Sequence, residues 1–312
     1  MSQQVVLQTP EQFNQRMLDQ LRNRKVDVGQ YFGGPPTAHA WATLADRHPM
    51  KDIIGLPLDG QGGVTVIDLG PGSGKPCVAA IAPFRDRVRV VVCVDASSDM
   101  AEQAARHIHA ETSKEVHCIV ADFLRDAFQL RKRLDAYSTQ KVFMCLGGTI
   151  GNFSQKYAFG AIRSLLSNDD RLLLGLGLYD PEQPDKELKA LGDFFASEVN
   201  CRFGLSFLKA SGCNPDHRQA HSRCEDDPEE KGVKVVRGFY RFLEDTTLAV
   251  GDESVLFRQG EELQFVESRR YPRGAVVPYL RMHGFEILDF RDFERHGLYL
   301  CRPDSPTTPE AL

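Results

Sequence analysis

Residues 64–75 read VTVIDLGPGSGK, an apolar run that breaks, just past Asp68, into the turn Gly70-Pro71-Gly72-Ser73-Gly74. An unbroken apolar run of this length predicts a strand buried on both faces, the habit of parallel sheets. Glycines let the following backbone take positive φ and pass close to a ligand, and the start of the next helix offers it free N–H groups. Two common phosphate-binding turns are excluded. A P-loop would need Gly at 69 and Ser or Thr at 76, where this chain has Leu69 and Pro76. The dinucleotide fingerprint needs G-x-G-x-x-G, and here the third glycine arrives one position early.

Four similar units follow: VRVVVCVDA (88–96), HCIVADF (117–123), KVFMCLGG (141–148) and RLLLGLGLYD (171–180), with helical stretches between them. Apolar strands alternating with helices predict an α/β fold of the Rossmann-like kind, a mostly parallel seven-stranded type of sheet covered on both faces. The strand ends carry a second signal. Asp95, followed by Ala96, stands 21 residues past Gly74, where a carboxylate can accept both hydroxyls of a ribose. Asp122 and Phe123 close the next strand, suited to an adenine amine and an adenine face. Gly147 ends the one after it. With no diphosphate cradle, Asp68, Gly70, Gly72, Gly74, Asp95, Ala96, Asp122, Phe123 and Gly147 predict an adenosyl sulfonium, S-adenosylmethionine, as cofactor.

Outward from this core, residues 10–25 predict a helix capped by Thr9, with Pro10 in its first turn and Phe13, Met17 and Leu21 on one face. The breaker-rich segment Tyr31 to Pro36 and a helical stretch over 37–48 complete an N-terminal lid, 1–55. Tyr31, Phe32 and Trp41 would there form either an aromatic wall around a cation or ordinary packing; His39 is the one histidine placed to act as a base. Residues 56–185 form the cofactor domain and 186–270 an inserted substrate region whose short alternating runs predict antiparallel strands. Its polar stretch 211–232 reads as a long loop. Residues 271–312 supply two final strands and a tail. Tyr179 and Asp180 end the fifth strand, where open α/β sheets place their sites, and Tyr179 is a candidate catalytic contact.

Composition narrows the function. The 312 residues carry a formal net charge of −5 and 42% hydrophobic content, with pI near 6.0 and mean hydropathy −0.33. An acidic chain without a long Lys/Arg run argues against nucleic acid as partner. No apolar run approaches the ~18 residues of a membrane span, and the first residues lack a basic-then-apolar leader, so a cytoplasmic location is expected. Eight cysteines without a Cys-x-x-Cys pair suit reduced thiols. Cys213, His217, His221 and Cys224 have zinc-ligand chemistry at an unfamiliar spacing, and no metal is expected.

Leu146-Gly147-Gly148-Thr149-Ile150-Gly151-Asn152-Phe153 closely resembles the G-S-T-I-G-N-F segment of the histidine-specific methyltransferase family. The DLG-P-G-S-G-K turn, Val94-Asp95-Ala96-Ser97, Leu174 to Pro181, Phe257 to Glu262 and Glu267 to Tyr271 match further blocks in order, over about 64–300. The resemblance implies a Rossmann-like domain with an inserted substrate domain, and Asn152 and Ser268 facing an amino-acid substrate. The chain departs where that family reads imidazole: the family's Glu aligns with Val266 or, shifted by one, with Glu267, and Arg237-Gly238-Phe239-Tyr240-Arg241 replaces I-E-M-H-L. The expected activity is methyl transfer from S-adenosylmethionine to an amine of a small amino-acid-like substrate other than histidine. An alternative keeps the cofactor and attacks its γ-carbon, cyclising the arm to azetidine-2-carboxylate with release of methylthioadenosine, or passing the aminocarboxypropyl arm to an acceptor. A non-catalytic nucleotide-binding subunit is the third possibility.

Overall fold

The computed structural model describes residues 4–7, 9–26, 61–293 and 295–304. Five parallel strands form the centre: β2 (Val64–Leu69), β3 (Val88–Asp95), β4 (Glu115–Val120), β5 (Gln140–Cys145) and β6 (Arg171–Tyr179). They lie side by side in the order β4-β3-β2-β5-β6. The last strand, β13 (His296–Pro303), joins β6 antiparallel and pairs on its far side with β12 (Phe285–Asp292), while the short β1 (Gln4–Val6) adds to the β4 edge. The result is a mixed α/β fold around a mostly parallel sheet, with one antiparallel strand inserted near the end.

Burial on both faces explains the unbroken apolar strands. Leu172, Leu174, Leu176 and Leu178 of β6 face one cluster with Phe143, Phe159 and Tyr279. Leu173 faces the other, with Val66, Cys93, Met144 and Leu300. The helices α2 (Lys75–Ile81) and α3 (Ser98–Thr112) cover the second face; α4 (Ala127–Leu134), α5 (Gln155–Leu165) and α9 (Val276–Met282) cover the first. The N-terminal helix α1 (Pro10–Arg22) starts at the expected capping box, in which Thr9 and Gln12 cap each other's backbone N–H. It stops where Arg24 takes a φ of +57.

Between β6 and α9 lie α6 (Pro184–Phe195), α7 (Glu198–Gly204), α8 (Ser206–Ala210) and five strands: β7 (Ala220–Asp226), β8 (Lys234–Arg241), β9 (Thr246–Val250), β10 (Glu253–Phe257) and β11 (Glu262–Pro272). β7, β8 and β11 pair antiparallel, and β9 and β10 make a separate hairpin. The loop expected over 211–232 is corrected here, since β7 lies inside it. Its residues are only partly buried or exposed, and an exposed edge strand has no buried face to impose the apolar alternation by which strands are read.

A buried ion network ties this region together. Arg269 Nε donates to Asp227 at 2.6 Å and Nη1 to Glu267 at 3.1 Å, with all three side chains at most 6% exposed. Lys25 reaches Glu267 at 3.0 Å, where the Gln264 amide also donates at 3.1 Å, so α1's trailing segment is anchored too. These charges, drawn in below the ordinary carboxylate range at Glu267 despite burial, are held by one another. Arg269→Met would leave two buried carboxylates without their shared partner, and the expected loss is about 3–5 kcal/mol in urea unfolding. A loss under about 1 kcal/mol would mean that the network contributes nothing.

Candidate active site

The Gly-rich turn is built as its residues require. Gly70, Gly72 and Gly74 have φ of +72, +56 and +76, and Gly70 N–H donates to the Val94 carbonyl at 2.8 Å. A Cβ on Gly74 would lie 2.9 Å from the Ala104 carbonyl oxygen, so α3 closes that position to any side chain. Beside the turn, Asp68 is 1% exposed, and its Oδ1 has no hydrogen-bond partner. Burial pushes its carboxyl up to about 7, opposed by a hydrogen bond from the Cys77 thiol and aided by Asp95. Asp95 accepts from Ser97 N–H at 2.9 Å. Burial likewise raises it to about 7, against hydrogen bonds from the Ser97 and Ala96 backbone. Two near-neutral carboxyls at adjacent strand ends are poised to gain donors.

The next strand end differs from its expectation. Asp122 already accepts from Arg16 Nη1 of α1 at 2.9 Å and from the N–H groups of Leu124 and Arg125, so an adenine amine would have to share it. Phe123 is 6% exposed and meets Phe153 edge-on at 6.1 Å. The ring expected to stack on a base is packed into the core instead, because this face of the sheet is covered by α4 and α5. Arg16 was invisible in the sequence reading: a lone basic residue on an amphipathic helix carries no signal for a partner 106 positions away.

Past β5 the chain turns sharply, with Gly147 and Gly148 at φ of +72 and +77. A Cβ on Gly147 would meet no heavy atom within 4 Å, so this backbone faces open space. Thr149 hydroxyl donates to the Leu146 carbonyl at 2.9 Å, and its methyl would sit 3.2 Å from a Cβ on Gly70. The two glycine turns therefore pack directly on each other. Asn152 ends the short 3₁₀ turn Thr149–Asn152, half-buried, and its amide makes no hydrogen bond to any described residue.

β11 completes the arrangement. It rejoins the sheet parallel to β6 at Tyr271↔Leu178 and Pro272↔Tyr179. A Cβ on Gly151 would lie 3.0 Å from the Arg269 carbonyl, so the 149–152 turn clamps this strand. Against β8, Val266 stands opposite Gly238, Ser268 opposite Val236 and Arg270 opposite Lys234, a two-residue step that puts the three on one face. Glu267 lies on the other face, consumed by Lys25, Arg269 and Gln264. Ser268 is 4% exposed, and no described residue hydrogen-bonds its hydroxyl. Tyr179 lies at the end of β6, where its hydroxyl donates to the Gly232 carbonyl at 2.8 Å and burial raises its pKa. Its hydroxyl is therefore engaged rather than free to act as a base.

Tyr31, Phe32, His39 and Trp41 lie outside the described residues. Among those described, no group of three or more His, Cys, Asp or Glu side chains could hold a metal ion; His221 stacks on Phe239 and reaches Glu262 instead. No helix among the described residues is long and apolar enough to cross a membrane. An adenosyl sulfonium suits the site: an orphaned carboxylate oxygen at Asp68, an acceptor at Asp95 and an open glycine backbone at Gly147.

The chain is 24% identical over 263 residues to the N-methyltransferase fsqC of Aspergillus fumigatus, covering 80% of this chain and 67% of that relative. Among solved structures it overlays the CcbJ methyltransferase of Streptomyces caelestis (14% identity, 88% of this chain and 92% of that one, TM-score 0.39). It also overlays the Burkholderia thailandensis 1,6-didemethyltoxoflavin-N1-methyltransferase holding its substrate and S-adenosylhomocysteine (11%, 96% and 92%, TM-score 0.37). Residues 47–302 match the family described as histidine-specific, SAM-dependent methyltransferases. The chain belongs to that family, and S-adenosylmethionine is its cofactor.

Proposed function

We propose that this methyltransferase alkylates an amine of a small amino-acid-like acceptor other than histidine. The observation that carries the reading is the register of β11. The residue sharing a face with Ser268 is Val266, whereas Glu267 points away and is neutralised by Lys25 and Arg269. An imidazole would meet a valine where it needs a hydrogen-bond partner, and one unpaired buried group costs about 1–3 kcal/mol.

When bound, the cofactor supplies an electrophilic methyl on a sulfonium. Asp95 would accept the ribose hydroxyls, with the Gly70–Gly74 turn and Gly147 giving the backbone room for the adenosyl and methionyl parts. Asp122 would serve the adenine only by sharing its Arg16 pair. Asn152, whose amide no described residue engages, can accept from the acceptor amine and so orient a neutral nucleophile without protonating it.

Three measurements follow from these assignments. Incubation with S-adenosylmethionine and a panel of amino acids should release adenosylhomocysteine, with histidine a poor acceptor; histidine turnover near 1 per second, an ordinary enzymatic rate, would overturn the specificity. Methylthioadenosine as the leaving nucleoside would instead mean attack at the γ-carbon of the cofactor. Asn152→Ala should lower turnover by about 10²-fold with little change in cofactor affinity; parallel losses of affinity and melting temperature would reduce Asn152 to a loop support.

The third measurement uses pH. Asp95 and Asp68 are raised in the folded protein, so protonation below pH 7 stabilises the free protein, and their contribution to stability declines as pH rises from about 4 towards 7. Ribose hydroxyls need the ionised acceptor. Adenosylhomocysteine should therefore bind about tenfold more weakly at pH 6 than at pH 8, and Asp95→Asn should weaken binding by about 2 kcal/mol and flatten that dependence. A pH-independent affinity in the wild type would remove Asp95 from the ribose site.

A further inference from the structure

We infer that Arg270 is the anion anchor of the acceptor site, taking the carboxylate of an amino-acid substrate on its guanidinium fork. This rests on the proposed amino-acid-like acceptor and goes beyond it by naming the group that is recognised and the residue that does so.

The placement comes from the sheet. Tyr271 pairs with Leu178, so Arg270 lies beside Gly177 on β6. Along β6 the even positions are leucines facing the α5 side, while Gly175 and Gly177 leave the opposite face hollow between Leu173 and Tyr179. The Arg270 side chain lies in that hollow: a Cβ on Gly177 would overlap its Nη1, and a Cβ on Gly148 would come within 3.7 Å of the same atom. The guanidinium thus rests next to the 147–152 turn that presents Gly147 and Asn152.

No described residue answers its charge. Neighbouring Arg269 has two buried carboxylates, and Lys234 across the strand pair has Asp226 at 2.7 Å. Arg270 has no hydrogen bond or ion pair with any described residue. It is enclosed deeply enough for burial to push its guanidinium down to about 10, yet it keeps accessible surface. An enclosed cation without a counter-ion is costly until an anion arrives, and the planar fork of arginine matches a carboxylate in two parallel hydrogen bonds. Two residues back on the same face, the buried Ser268 hydroxyl is also without a partner among the described residues. Two polar groups in succession that no described residue satisfies, with Val266 before them and the Lys234–Asp226 pair already closed beside them, describe a site for a small molecule with one anionic end.

The test compares each amino acid with its α-carboxamide, which keeps the amine and side chain and loses the charge. Calorimetry on protein saturated with adenosylhomocysteine should find at least one acid bound about 10²-fold more tightly than its amide. Arg270→Gln should reduce that ratio below about threefold, and Gly177→Ala, which displaces the fork while keeping the arginine, should do the same. Adenosylhomocysteine affinity should stay within about threefold, and the ligand-free melting temperature of Arg270→Gln should hold or rise, since an uncompensated charge has been removed. The inference is overturned if acid preference survives in Arg270→Gln, or if wild type binds acid and amide alike or binds neither. It is equally overturned if the variant loses adenosylhomocysteine while methylthioadenosine, which lacks the carboxylate, still binds; the arginine would then hold the cofactor's own arm. Methyl transfer to amides as fast as to acids would leave the proposed function standing and remove only Arg270. Release of methylthioadenosine without an acceptor would remove the proposed function, while the acid–amide comparison would still decide the role of Arg270.

Discussion

The site depends on β5 ending before β6 does. Their pairing stops at Cys145↔Leu174, while β6 continues to Tyr179. Five residues of a central strand would otherwise lack a neighbour on that side, and unpaired backbone groups inside a protein are costly. Two segments fill the gap. The 147–152 turn folds across the end of β5, and β11 arrives from the inserted region to pair with Leu178 and Tyr179. Because Gly151 has no side chain, the two segments touch backbone to backbone. The same closure brings Asn152, Ser268 and Arg270 to one edge of the sheet, next to the Gly-rich turn that Thr149 contacts at Gly70. The two glycine turns and β11 are thus mechanically one unit.

The buried charges divide the molecule into scaffold and site. Glu267, Arg269 and Asp227 satisfy one another and hold the inserted strands to the sheet. A network of this kind is exchangeable in principle for apolar packing, and its loss of one member is what hurts. Asp68, Asp95 and Arg270 differ: each is enclosed, each is pushed towards its neutral form by burial, and none has an oppositely charged partner among the described residues. Perturbed groups converging on one sheet edge are where binding chemistry is to be sought.

Much of this was legible in the sequence. The apolar strands, their order and the glycine turn follow from burial on both faces, which leaves a strong pattern. The place of Asp95 at the end of β3 was legible because a strand end is easy to count to. Other features were not. The commitment of Asp122 to Arg16 and the inward packing of Phe123 depend on where distant elements dock, and spacing along the chain carries no trace of that. β7 was hidden because an edge strand exposed to water needs no alternation. The choice between Val266 and Glu267 as the family's imidazole-reading position is a matter of register, and a bulge between Gln264 and Val266 makes it unreadable without the pairing partner. Arg270 sat in a quoted motif, but only the register against Gly177 gives it meaning.

The central claim is that one cofactor spans the turns after β2, β3 and β5, which act together. Hydrogen–deuterium exchange with and without adenosylhomocysteine tests it most directly. Bound nucleoside should slow exchange together in peptides covering 68–75, 95–100 and 146–153, while the β9–β10 hairpin stays unchanged. Protection confined to one of these turns, or appearing first in the hairpin, would contradict the account.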